Sequence, residues 1–336
     1  MKNLIYFILL TNCFGCAENI KKQTEESSIV ALADSYYERL LKTFPESAYI
    51  IDIELKEHNG ITSNELSEVL QWEKYQDSLY VELSKWEVAQ IPEQKDKITY
   101  WILKEELEAN IGMRICKRNL WNVDHLDGWP SKWTLLAEFQ PVGTAVLRNQ
   151  AFERWNKLPE FVATEISNLK KGIVEGYSMP KEIVDLVIEQ LRVLQDYGME
   201  KSPFMSPAKR DEDPKFKEDW EALVKQIILP SLSKYQEYLV NEYKPKAREA
   251  VAISSIPNGS DCYQAYIRSR TTTNKSADDL FQLGQKIVAD NKATVSKIGF
   301  EVYKTSDFSE IIRLITDDPA NSFSSAEEIL AFNSKL

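Results

Sequence analysis

Histidine is almost missing from this chain, with two in 336 residues. His58 lies in Glu57-His58-Asn59-Gly60 and His125 in Asp124-His125-Leu126-Asp127-Gly128, contexts that read as turns because Asn, Asp and Gly supply the backbone freedom a turn needs. No His-Glu-x-x-His occurs, so no two imidazoles one helical turn apart can hold zinc beside a glutamate base. Gly-x-Ser-x-Gly, the P-loop and the dinucleotide Gly-x-Gly-x-x-Gly are also absent. Asp211-Glu212-Asp213 lacks the glycine and distal glutamate of a calcium loop and reads as charged surface. Positive charge is scarce: 41 Lys and Arg face 52 Asp and Glu, a net charge of −11. With no basic stripe to offset it, such a surface repels phosphate backbones, which argues against nucleic acid as a partner.

Cysteine is sparse too, with four residues. Two of them, Cys13 and Cys16, follow the chain's longest apolar run, Leu4-Ile5-Tyr6-Phe7-Ile8-Leu9-Leu10, which itself follows Lys2. A basic start, a short apolar stretch and small residues before a cut mark a secretory signal, and the run is too short to span a bilayer. A cysteine placed there resembles the lipobox of bacterial lipoproteins. Leu10-Thr11-Asn12-Cys13 makes Cys13 the favoured lipidation site, and Cys13-Phe14-Gly15-Cys16 leaves Cys16 as the alternative. Residues 1–16 then form the signal and the polar stretch 17–29 a flexible tether. The implied location is the cell envelope, lipid-anchored, at the periplasmic or outer-membrane side. Such a compartment permits Cys116 and Cys262 to pair. Their apolar helical contexts favour two buried free thiols.

What is plentiful is apolar residues at helical spacing. A hydrophobic content of 43% suffices for a real core, and intervals of three and four dominate from Val30 onward. Helices are expected over Val30–Phe44, Asn64–Val88 behind a Thr62-x-x-Glu65 capping box, Asp96–Cys116, Phe152–Glu175 and Pro180–Tyr197. Residues 117–149 read as irregular and Lys201–Pro214 as a surface loop. A helix over Phe216–Tyr243 must kink or split at Pro230. Ser276-Ala277-Asp278-Asp279 caps a further helix, and Glu301-Val302-Tyr303-Lys304 is the best short strand candidate. The fold class is all-α, an irregular multi-helix array over 30–336.

Few residues stand out as chemistry. Glu105, Glu106 and Glu108 share a helix, where a solvated face is the first reading and acid–base work the second. Trp101, Trp121, Trp129, Trp133 and Trp155 make the middle aromatic-rich, as core or as a substrate-facing wall. Ile256 to Tyr266, leading into Arg270-Thr271-Thr272-Thr273, looks specialised. Tyr263, Thr271, Thr272 and Thr273 are candidates to face a cleft; alternatively the threonines cap the next helix.

At this segment the chain resembles the bacterial family grouped as domain of unknown function 885, exported or lipid-anchored proteins related to helical zinc metallopeptidases. The resemblance rests on Tyr37 to Ala48, Phe152 to Pro180, Ile256 to Gly284 and Asp317 to Glu328. It implies the N-terminal portion of a larger helical fold. In the family a His-Glu-x-x-Pro-Gly-His-His motif carries the zinc ligands and the catalytic glutamate. Nothing here matches it, and Arg270 and Phe281 stand where members often carry histidine. Zinc is thus implied for complete members, and no metal ligand, catalytic residue or cofactor for this chain. The chain also stops at Leu336, shortly after a helix begins at Ser325, and so reads as lacking a catalytic half. The expectation is an inactive, membrane-anchored portion of a peptidase-like hydrolase, able to meet a peptide substrate only when completed. The alternative is a lipid-anchored peptide- or glycan-binding module.

Overall fold

The structure, a computed structural model, describes residues 28–335. Cys13, Cys16, the signal and all but the last residues of the tether lie outside the described residues. The chain divides into two compact units, residues 28–272 and 273–335. Among the described residues there is no named strand, only an isolated bridge between Pro180 and Arg248. The all-α reading holds.

In the first unit α1 (Ile29–Thr43), α2 (Leu66–Leu83) and α3 (Gln94–Met113) pack on one another around Tyr36, Leu79, Leu83, Leu103 and Leu107. A second and larger core gathers α4 (Trp129–Phe139), α5 (Ala145–Trp155), α6 (Leu158–Val174), α7 (Lys181–Asp196), α8 (Pro214–Leu223), α9 (Leu229–Tyr238) and α10 (Gly259–Thr271). Trp155 and Trp220, edge to face at 5.7 Å, are fully buried there. Burying one such side chain contributes about 1.5–3 kcal/mol. The second unit holds α11 (Ala277–Tyr303), α12 (Phe308–Asp317) and α13 (Ala326–Asn333). Gly299 lets α11 and α12 meet, because a Cβ there would stand 2.1 Å from Ile311 Cδ1.

Several expectations are corrected. Cys116 and Cys262 are bonded to each other, both fully buried, fastening α10 to the end of α3 across 146 residues of sequence. Helical spacing reports that each cysteine is buried but not that the two helices cross. The stretch expected to be irregular contains α4, whose Trp129-Pro130 begins the helix because proline's missing N–H costs nothing in a first turn. Lys201–Pro214 is short helical turns with Phe204, Ser206, Pro207 and Ala208 buried. Around Pro230 the stretch is helical but not one regular α-helix: α8 passes through a π segment into α9. That π-turn, at Val224–Ile228, precedes Pro230, so the wider i→i+5 pattern absorbs the missing donor and the backbone stays helical into α9. Glu301–Tyr303 ends α11 and forms no strand. Thr62 makes no capping box: its N–H and hydroxyl donate to Glu46 at 2.8 and 2.6 Å, and α2 starts at Leu66.

One seam joins the two cores of the first unit. Residues 58–64, an extended strap leading into α2, run along a single stripe of α5 and α6. Gln150 accepts from the His58 N–H, and Glu153 accepts from Asn59. Arg154 donates to the Gly60 carbonyl and Lys157 to that of Asn59. Farther along, Asn64 donates to the Phe161 carbonyl and to Glu165, while Asn168 donates to the Asn64 carbonyl. Within each helix, spacings of three and four residues keep these contacts on one face.

Candidate functional site

The specialised segment builds a rigid corner. Asn258 adopts a left-handed conformation (φ 55°) before α10. Gly259 follows because any Cβ would stand 2.0 Å from the Ile253 carbonyl oxygen. Three residues on, the disulfide anchors α10 from beneath. Arg268 then forks onto Glu105 of α3, with Nη2 donating to Oε2 at 2.6 Å and Nη1 to the other oxygen. Such a bidentate pair fixes geometry as well as charge. Tyr263 is half exposed on this helix.

The threonines end α10 and do not cap the helix that follows. Thr272 is the C-cap, in the left-handed region at φ 54°, with its N–H on the Arg268 carbonyl. A β-branched residue there carries strain of about 1–3 kcal/mol. The Thr271 hydroxyl donates to the Ile267 carbonyl at 2.7 Å, and that of Thr272 to the Thr271 carbonyl. Thr273 opens the second unit. The next helix is capped by Ser276 and Asp279 in a reciprocal box, as expected. Tyr263 and Thr271 lie on α10 with Thr272 as its C-cap, and two of the hydroxyls serve the backbone.

The acidic helix face is neither merely solvated nor a proton-transfer pair. Glu105 holds Arg268, Glu106 accepts from the Tyr36 hydroxyl at 3.1 Å, and Glu108 accepts from Tyr80 at 2.9 Å. A hydrogen bond from Lys104, with help from Tyr80 and Arg268, holds Glu108 below the usual carboxylate range, which suits an ion pair and not a proton donor. Asp211 is likewise no surface charge. It is buried, accepts two bonds from Arg148 at 2.8 Å and one each from the N–H groups of Gly143 and Asp213, and is held at about 2, chiefly by Arg148. Trp121, Trp129, Trp133 and Trp155 are core, none more than 4% exposed, whereas Trp101 is 54% exposed on α3.

Among the described residues, the two histidines do not fit a zinc site. His58 Nδ1 and the Tyr49 hydroxyl share a hydrogen bond at 2.9 Å, and Arg154 also donates to that hydroxyl. Burial, then Arg154, holds His58 below its ordinary range. His125 sits in a turn whose carbonyl accepts from Ser131 and Gln190. Among the described residues no three His, Cys, Asp or Glu side chains group so as to hold a metal.

Sequence reasoning missed one group. Glu165 of α6 is 3% exposed, with Oε2 accepting from Asn64 at 3.0 Å and Oε1 without a close hydrogen-bond partner. Burial raises its carboxyl to about 7, against the opposing pull of Asn64, Arg118, Asn122 and Lys132. Only its place on the apolar side of α6, in register with Val162 and Leu169, hinted at this.

The fold is similar to a solved structure, a "putative lipoprotein" from Colwellia psychrerythraea, at 15% identity and a TM-score of 0.76. The match covers 91% of this chain and 57% of that one, so the chain spans a little over half the length of its structural neighbour. No curated protein matches it. The model of a family described as bacterial protein of unknown function (DUF885) matches residues 62–335, most of the chain, and the protein belongs to that family.

Proposed function

We propose that this chain is the helical, metal-free portion of an exported, lipid-anchored hydrolase of the zinc-peptidase type, a scaffold inactive by itself. The observation that carries the reading is the apolar face of the second unit. Phe281, Val288, Ile298, Phe300 and Val302 of α11 and Leu330 and Phe332 of α13 are each at least half exposed. Leu280, Phe281, Gly284, Val288 and Ala289 form a shallow, open apolar depression along α11. So many large apolar side chains left exposed in one unit mark surface built to be covered, and the structural neighbour has further chain outside the matched part. The buried Cys116–Cys262 bond supports export, since disulfides persist in oxidising compartments. The printed description of the neighbour as a lipoprotein supports the anchor at Cys13, or at Cys16. The binding-module alternative loses its main support, because four of its five tryptophans are core.

Purified residues 17–336 are expected to bind no stoichiometric zinc and to cleave no member of a peptide library. Zinc near one per chain with chelator-sensitive cleavage would overturn the proposal. Labelling of the full chain with radioactive palmitate should be lost in Cys13→Ala. Loss only in Cys16→Ala moves the anchor, and label retained when both are replaced removes it.

A further inference from the structure

We infer that Glu165 is a proton-operated catch on the strap 58–64: its neutral carboxyl holds the strap closed, and ionisation loosens it. The geometry comes first. The carboxyl is buried, Oε2 accepts from strap residue Asn64, Oε1 has no close hydrogen-bond partner, and Asn122 is the other amide that pulls on the group. Among the described residues it makes no ion pair. Arg118 is engaged with Asp124 at 2.8 Å and lies over the Trp121 ring, and Lys132 of α4 acts on it only at longer range. The remaining polar groups acting on it are Asn122 and the Tyr235 and Tyr243 phenols, which burial keeps protonated. A carboxylate so placed lacks the partners that offset desolvation, so the neutral acid is the form the closed site accommodates.

The strap is the element that can answer. Asn64 binds Glu165 directly, and Asn168, one turn along α6, binds the Asn64 carbonyl. Moving Asn64 away opens the carboxyl to water and returns it toward an ordinary glutamate. A group raised to about 7 when closed and near 4.5 when open makes closure tightest below 4.5. The added closure is lost as pH rises through about 7. His58, at the other end of the strap, has its range lowered by burial and then by Arg154.

Amide hydrogen exchange on the full chain tests this, with rates corrected for intrinsic chemistry. The His58 and Thr62 amides, bonded to Gln150 and Glu46, should open about tenfold more readily at pH 8 than at pH 6. They should do so at a lower opening cost than the core amides of Val187 and Leu191. Glu165→Gln, which keeps an acceptor for Asn64, should remove the dependence, and Asn64→Ala should loosen the strap at both pH values. A flat wild-type profile, a dependence that survives Glu165→Gln, or strap amides opening only together with the core would each overturn the inference. Should Glu165→Gln not fold, infrared difference spectra of the wild type decide. A protonated-carboxyl band that titrates near pH 7 supports the catch, and no such band above pH 5.5 sinks it.

Discussion

The two units are written in the same helical code and meet opposite fates. In the first, apolar stripes on α4 to α9 close on one another until Trp155, Trp220, Tyr235 and Tyr243 are no more than 1% exposed. In the second, α11 and α12 show equally good periodicity, yet among their described residues only Gly299 and Ile311 are buried. Periodicity announces that a face will be covered; it does not say by what.

The largest expected effect breaks the comparison on the closed side. Replacing Cys116 and Cys262 together by alanine frees a loop of more than a hundred residues and should cost about 2–5 kcal/mol. Urea unfolding followed by tryptophan fluorescence reads it, since Thr273–Leu336 contains no tryptophan. No change would mean the bond does not clamp α10 to α3. Next come two glycine replacements of opposite sign. In Gly172→Ala the new Cβ would stand 1.8 Å from the Leu120 carbonyl oxygen, so α6 must shift and stability should fall by about 1–3 kcal/mol. In Gly284→Ala nothing lies within 4 Å, and α11 should gain about 1 kcal/mol of helix propensity. Circular-dichroism melts of both variants check the pair, and a gain in Gly172→Ala would contradict the close approach. Smallest is Thr272→Asn, which relieves a β-branched residue from the left-handed region and should raise stability by several tenths to about 1 kcal/mol.

Helix class and most helix positions were legible because stripes at spacings of three and four are a local signal. The Ser276 box and the start at Ser325 were legible for the same reason. What was hidden is nonlocal. The Cys116–Cys262 bond depends on two helices crossing, and the buried Asp211 depends on Arg148, which is 63 residues away. Pro230 marked an irregularity in its helix, but that it takes the form of a π segment is something propensity does not announce. Glu165 looked like one acidic residue among many in a chain of net charge −11. Only its neighbours made it exceptional. That two of the threonine hydroxyls donate to carbonyls of their own helix is likewise something a row of hydroxyls does not announce.

The central claim is that the second unit presents apolar surface built to be covered. Adding an apolar-surface dye to the folded full chain tests it most directly. The account predicts strong fluorescence at native pH, reduced severalfold when Phe281, Val288 and Phe300 are all replaced by serine. A cooperative monomer that binds no dye would contradict it.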